Sequence, residues 1–207
     1  MSAQPSTTKP PIDFFFDFSS PYGYIAATRI DELAERCGRT VAWRPILLGV
    51  VFKTTGMGPL PTVPLKGAYS LHDFARSARL LGVPFKMPTP FPFNAVTPSR
   101  AFYWLQDRDA GLARRFARAA YHAAFPGQQD ITKPEVCADL AANLGVKRED
   151  MLAALNDPAV KDRLRAEVEA AIAKGVFGSP FIVVDGEPFW GADRLEQVER
   201  WMQTGGW

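Results

Sequence analysis

The stretch FFFDFSSPYGY, Phe14 to Tyr24, decides how the rest of the chain is read. Three consecutive aromatic residues need cover on both faces, as in an interior strand. Two serines and a proline follow at once, and from Tyr22 onward the apolar period changes. Tyr22, Ile25, Ala26, Ile30, Leu33, Ala34 and Cys37 recur at three- and four-residue steps, the stripe of an amphipathic helix. Gly38 stands where a C′ residue closes such a helix. Ser20 suits the N-cap and Pro21 the first helical position. The strand therefore hands over to a helix whose free N–H groups and positive dipole end favour an anion. Capping alone accounts for Ser20. A catalytic role there is compatible with capping, since Ser19 can share that task.

Outward from this point, residues 12–18 read as one strand and TVAWRPILL (40–48) as a second. The Gly- and Pro-rich segment 53–65 reads as a loop. From Gly67 the period is helical, with one stripe at Leu71, Phe74, Ala75, Ala78 and Leu81. A loop carrying Pro84, Pro88, Pro90, Pro92 and Pro98 interrupts it. Leu112, Phe116, Ala119 and Ala123 form a further stripe, with Arg115, Arg118 and His122 on its polar side. Thr132 and Glu135 have the spacing of a capping box, with Gly145 ending that helix. Asp157 and Pro158 start a longer helix bearing Val160, Leu164, Val168 and Ile172, closed by Gly175. PFIVVDGEPFWG is a hairpin with an Asp-Gly turn, and Ala192 to Gln203 is a final helix. The order is β-α-β, a helical block, then β-β-α.

The 207 residues are 47% hydrophobic and 22% charged, which is ordinary for a globular chain. A net charge of +2, spread along the chain, gives no footprint for nucleic acid. MSAQPSTTKPP has no apolar core and reads as a loose tail, not a signal peptide. No apolar run approaches the roughly 20 residues that span a bilayer. Cys37 and Cys137 fall on apolar stripes as packing cysteines, and a reducing cytoplasm without a structural disulfide is expected. Two cysteines and two histidines show no metal-ligand spacing, and His72 and His122 lie on polar helix sides.

FDFSSPYGYIA, FGSPFIVVDG and WGADRL occur in order, with WRPILLG (43–49) and PLKGAY (64–69) between the first two. Together these strings resemble the DsbA-like kappa-class glutathione transferases and the related 2-hydroxychromene-2-carboxylate isomerases, from Asp13 to Trp201. The resemblance implies an α/β thioredoxin-like fold with a large helical insertion. Residues 12–52 and 176–207 would form the thioredoxin-like domain and 53–175 the insertion, behind a tail at 1–11.

Ser20-Pro21-Tyr22-Gly23 falls where redox members carry Cys-x-x-Cys. Without either sulfur, dithiol–disulfide exchange is excluded at this position, and the helix end is left to receive the thiolate of glutathione, with Ser20 donating to the sulfur. The resemblance further implies a cis Pro180, with Ser179 pairing its backbone with glutathione. Asp193 and Arg194 would hold the γ-glutamyl end, and Lys66 the glycyl carboxylate. In isolation, Asp193 is equally a helix-dipole partner and Lys66 a solvated cation. Where relatives carry an asparagine ahead of that lysine, this chain has Met57. Tyr22, Phe93, Asn94 and Trp190, with Phe85 and Phe91, are candidates to line a slot for a flat aromatic substrate, and Arg44 or Arg100 to meet its carboxylate.

The implied activity is glutathione-dependent isomerisation of a 2-hydroxychromene-2-carboxylate-like small aromatic carboxylate. The alternatives are a kappa-type transferase conjugating aromatic electrophiles and a non-catalytic thiol-binding or interaction protein. The expected setting is a cytoplasmic homodimer in aromatic catabolism, with no nucleic-acid or membrane partner.

Overall fold

The structure is a computed structural model that describes residues 9–207, so most of the expected tail at 1–11 lies outside the described residues. Its one sheet has the order β2-β1-β3-β4, built from β1 (Ile12–Phe16), β2 (Val41–Pro45), β3 (Phe181–Val184) and β4 (Glu187–Trp190). β1 runs parallel to β2 and antiparallel to β3, with Phe14 opposite both Trp43 and Ile182. The aromatic run is thus an interior strand, and its side chains alternate between two packed layers. On one face Phe14 and Phe16 stack at 5.3 Å and meet Trp43, Phe102 and Tyr121 edge-on or tilted. On the other, Phe15 packs with Ile46, Val51, Ala171, Val176 and Phe181.

The helix expected between β1 and β2 is two helices, α1 (Pro21–Ala27) and α2 (Ile30–Arg36). The Thr28 hydroxyl donates to the Ile25 carbonyl at 2.7 Å, and this competing local bond marks the break. Both pieces keep the apolar face that the spacing predicts. The second strand is shorter than expected, because Leu48 already opens α3 (Leu48–Thr55), which Gly56 closes at φ 70°. The segment 53–65 therefore begins inside a helix.

The insertion holds α4 (Lys66–Leu80), α5 (Val96–Gln106), α6 (Ala110–Ala124), α7 (Pro134–Ala142), α8 (Arg148–Asn156) and α9 (Pro158–Ala173). α10 (Leu195–Thr204) ends the fold. The buried face of α4 is Gly67, Ser70, Phe74 and Ala78, whereas Leu71 is exposed, so its stripe is rotated from the expected one. The capping box does not form. Pro134 takes the first position of α7, and the Thr132 hydroxyl donates to Asp130 at 2.6 Å instead. Asp157 does cap α9, accepting from the Ala159 N–H at 2.8 Å.

One buried cation clamps one end of the sheet, where the chain enters β1 and turns from β3 to β4. Arg39 sends Nε to the Pro10 carbonyl at 2.8 Å and its two terminal nitrogens to the Asp185 carboxylate at 2.8 and 2.9 Å. Asp185 sits in the β3–β4 turn at φ 52°, and the bond from Arg39 holds its carboxyl below the ordinary value. A carboxyl lowered on folding stabilises the native state above its unfolded pKa, and that contribution fades as pH falls through the folded value. The denaturant midpoint of the wild type should therefore exceed that of Asp185→Asn at pH 7. The gap should close below about pH 4.

Candidate functional site

The site is assembled at the β1–α1 turn, where buried Asp17 connects three segments. Its N–H donates to Ser179 Oγ at 2.9 Å, and its carbonyl accepts from the Ser20 N–H at 2.8 Å and the Tyr121 hydroxyl at 2.9 Å. Its carboxylate accepts from the Ser19 N–H, the Ser19 hydroxyl and the Leu48 N–H, each at 2.7 Å. Burial pushes this carboxyl up, and the three donors oppose that rise. Ser19 thus serves Asp17 and takes no part in capping α1.

Ser20, only 5% exposed, is the N-cap of α1, and its Oγ accepts from the Gly23 N–H at 3.0 Å. The same hydroxyl donates to the Ser179 carbonyl at 2.9 Å. Capping is therefore real, and it coexists with a direct link to the loop that opens β3. The Ser179–Pro180 peptide is cis, as the resemblance implies. The backbone N–H groups of Tyr22, in the first turn of α1, and of Ser179, ahead of the cis peptide, make no hydrogen bond among the described residues. Gly23 stands where the second sulfur of a Cys-x-x-Cys pair would be attached. A Cβ built there would lie 2.7 Å from the Tyr121 hydroxyl and 2.8 Å from Ser179 Oγ, so the space for that side chain is already filled.

A cavity of about 1200 Å³ opens over this junction. Its wall includes Ser20, Tyr22, Ser179, Asp193, Arg194, Phe93, Asn94 and Trp190 from the expected residues, together with Phe91 and Met57. Pro180, also expected in the site, is buried and lies outside the wall. Asp193 and Arg194 pair at 3.3 Å in a short turn ahead of α10. That turn is tied to the cis-proline loop through the Gly191 N–H, which donates to the Pro180 carbonyl at 3.1 Å. Asn94 is already in use, since its side chain accepts from the Val96 N–H at the start of α5.

Four expected residues stand elsewhere. Arg44 shares a sheet face with Asp13 and pairs with it at 2.6 Å, with Glu167 of α9 at 3.8 Å, so it is directed away from the cavity. Lys66 is exposed in the first turn of α4 and outside the wall. Phe85 stacks on Phe125 in the core at 5.5 Å. Arg100 lies outside the wall too, with a buried Nε that has no partner. Neither cysteine lines the cavity, and burial pushes the Cys137 thiol up to about 12, which makes it inert as a nucleophile.

Two wall features escape sequence reasoning. The Tyr22 hydroxyl donates to Asp73 at 2.5 Å, bridging α1 to α4, and Arg76 also holds that carboxylate. Burial and the Asp73 charge raise the Tyr22 pKa, so its proton stays in place. Phe177 meets Trp190 edge-on at 4.9 Å, and a Cβ on Gly178 would come within 2.2 Å of the indole nitrogen. The only signal for this platform is a glycine wedged between aromatic residues. Because Trp190 is 52% exposed, it has room to swing aside. Gly178→Ala should therefore raise the KM for an aromatic substrate several-fold and shift tryptophan emission, yet move the melting temperature by no more than about 2 °C.

The DSBA-like thioredoxin domain family matches residues 11–203. Glutathione S-transferase kappa 2 of Caenorhabditis elegans is 32% identical over 201 residues, covering 90% of this chain and 89% of that protein. A 2-hydroxychromene-2-carboxylate isomerase of Sphingobium xenophagum is 30% identical over 194 residues, covering 92% and 97%. Among solved structures, a 2-hydroxychromene-2-carboxylate isomerase superposes with a TM-score of 0.84 at 28% identity, covering 93% of this chain and 94% of that one. The chain belongs to the DSBA-like thioredoxin domain family, among relatives named kappa-class glutathione transferase and 2-hydroxychromene-2-carboxylate isomerase.

Proposed function

We propose that this protein is a glutathione-dependent isomerase of small aromatic carboxylates resembling 2-hydroxychromene-2-carboxylate. The observation that carries the reading is the junction of Ser20 with the cis-proline loop. There a helix-capping hydroxyl and two residues with unpaired backbone N–H groups, Tyr22 and Ser179, line a cavity with no cysteine in its wall. These donors fit an extended peptide with a thiolate: the Ser179 N–H takes a peptide carbonyl, and the Tyr22 N–H faces the sulfur. When bound, glutathione supplies a thiolate that adds reversibly to a conjugated double bond and so permits rotation about it.

The chain's own residues then have separable tasks. Ser20 turns its proton from the Ser179 carbonyl to the sulfur, and the N-terminus of α1 favours the anion. The freed Ser179 carbonyl accepts from the peptide N–H of the ligand. Asp193 and Arg194 receive the ammonium and carboxylate of the γ-glutamyl end. Phe177 and Trp190 offer ring faces to a flat substrate. Holding sulfur and ring in one cavity converts a bimolecular encounter into a positioned one.

A kappa-type transferase is the second reading, favoured by the relative of that name at 32% identity. It uses the same site but leaves the thiol joined to an aromatic electrophile. NMR analysis of the reaction mixture separates the two, since free glutathione is recovered only from the isomerase. Calorimetric titration tests both: glutathione should bind at micromolar to millimolar concentration, and no binding in that range would overturn each of them. The reading also takes the protein as a cytoplasmic homodimer, which light scattering at working concentration checks for assembly.

A further inference from the structure

One charged group at the site has no task in the chemistry above. Asp17 is 3% exposed and has no cation within ion-pair distance among the described residues. Enclosing a carboxylate in this way is costly, and here donors alone offset the cost. One carboxylate oxygen accepts from the N–H and the hydroxyl of Ser19, and the other from the Leu48 N–H.

The two oxygens hold different segments. β1 and β2 run parallel and end side by side at Phe16 and Pro45, so the chain leaves both at the same end of the sheet. The first exit is the turn from Asp17 to Ser20, closed by the Ser20 N–H on the Asp17 carbonyl at 2.8 Å. Within it the Asp17 side chain takes the Ser19 N–H, a local bond that fixes the turn. The second exit is the start of α3, where Leu47 stands at the N-cap with no side-chain bond to offer. Asp17 supplies the missing acceptor from the neighbouring exit. α3 in turn contributes Leu48, Gly49, Val50, Phe52 and Lys53 to the cavity wall. Asparagine could serve one side or the other but not both, because its NH2 would then meet an N–H donor.

We propose that Asp17 is a positioning residue of the site: its carboxylate ties the turn that carries Ser20 to the start of α3, so that the Ser20 hydroxyl and the cavity wall keep one fixed relation. The inference rests on the glutathione reading above. Asp17 acts through Ser20 and not on the ligand itself.

The test uses wild type, Asp17→Asn, Ser20→Ala and the double variant. It measures kcat with 2-hydroxychromene-2-carboxylate as the probe, glutathione affinity, and the ultraviolet titration of the bound thiol. Asp17→Asn should lose about fivefold or more in kcat while glutathione affinity stays within about threefold. Its bound thiol should titrate higher than in wild type, whereas loss of a nearby anion and nothing more would move it lower. In the Ser20→Ala background the same substitution should cost less than about a further twofold, because nothing is left to position. Leu48→Pro and Leu48→Ala form a second pair. Proline suits the first helical position but removes the N–H, so Leu48→Pro should fall about threefold or more below Leu48→Ala in kcat and bind a thiol that titrates higher.

The proposal is overturned if Asp17→Asn loses less than about fivefold in kcat, or if its bound thiol titrates at or below the wild-type value. It is equally overturned if the losses from Asp17→Asn and Ser20→Ala simply multiply, as those of independent sites do. Leu48→Pro that behaves as Leu48→Ala also overturns it, and this pair decides alone if Asp17→Asn does not fold. The titration needs no second substrate, so it decides even if the probe is not turned over. A wild type that binds no glutathione overturns the glutathione reading together with this one. A wild type that binds ionised glutathione beside an indifferent Asp17→Asn overturns this one alone.

Discussion

Replacing Ser20 with alanine should lower turnover by about a hundredfold or more while costing only about 1–2 kcal/mol of stability. The two effects come from separate uses of one hydroxyl. As a cap it accepts from the Gly23 N–H, and loss of such a cap costs about 1 kcal/mol. Its donation to the Ser179 carbonyl adds a further modest amount. As a donor to sulfur it acts on charge in a site shielded from water, where removing one preorganised donor typically costs about 100- to 1000-fold in rate. Turnover and a thermal melt on the same preparation decide the matter. A variant that keeps wild-type turnover but melts a few degrees lower would make Ser20 a cap and nothing more.

The second large effect is expected at Gly23, and it concerns stability first. A methyl group there meets the Tyr121 hydroxyl at 2.7 Å and Ser179 Oγ at 2.8 Å, both held by bonds to Asp17. Neither is the loose end of a flexible chain, so Gly23→Ala should destabilise by about 1–3 kcal/mol through overpacking. For a chain of this size that lowers the melting temperature by roughly 3–10 °C. Adding Tyr121→Phe removes one of the two contacts and should recover part of the loss. Ser20→Cys with Gly23→Cys should carry the same penalty, so restoring both sulfurs does not restore a well-packed redox site. If Gly23→Ala melts with the wild type, the packing around the motif differs from that described.

The ends of the motif were legible because their chemistry is local. A capping serine, a proline at the first helical position and a three-residue aromatic run each constrain the backbone within a few residues, so β1 and the start of α1 follow directly. The cis-proline loop was legible only through resemblance, since nothing local marks Ser179-Pro180 as facing Ser20. α3 was missed because LGVVF is apolar throughout and has no period to distinguish a helix from a strand. The capping box failed because Pro134 claims the first helical position one residue later than the Thr132 spacing requires.

Arg44 was misplaced for a simple geometric reason. Strand alternation puts it on the face of Asp13 and Phe15, against α9, and that face is fixed by a pairing register no local pattern reveals. Asp73 lies 51 positions from Tyr22 and Lys53 on an unforeseen helix, so both entered the wall only through tertiary structure.

The central claim is that the N-terminus of α1 receives a thiolate the chain does not itself supply. Ultraviolet titration of glutathione bound to the protein tests it most directly, because a thiolate absorbs where a thiol does not. The account predicts that bound glutathione is ionised at neutral pH, well below the ordinary thiol value of about 8.5, and that Ser20→Ala moves the titration back toward that value. Bound glutathione that titrates as it does free in solution, in wild type and variant alike, would contradict it.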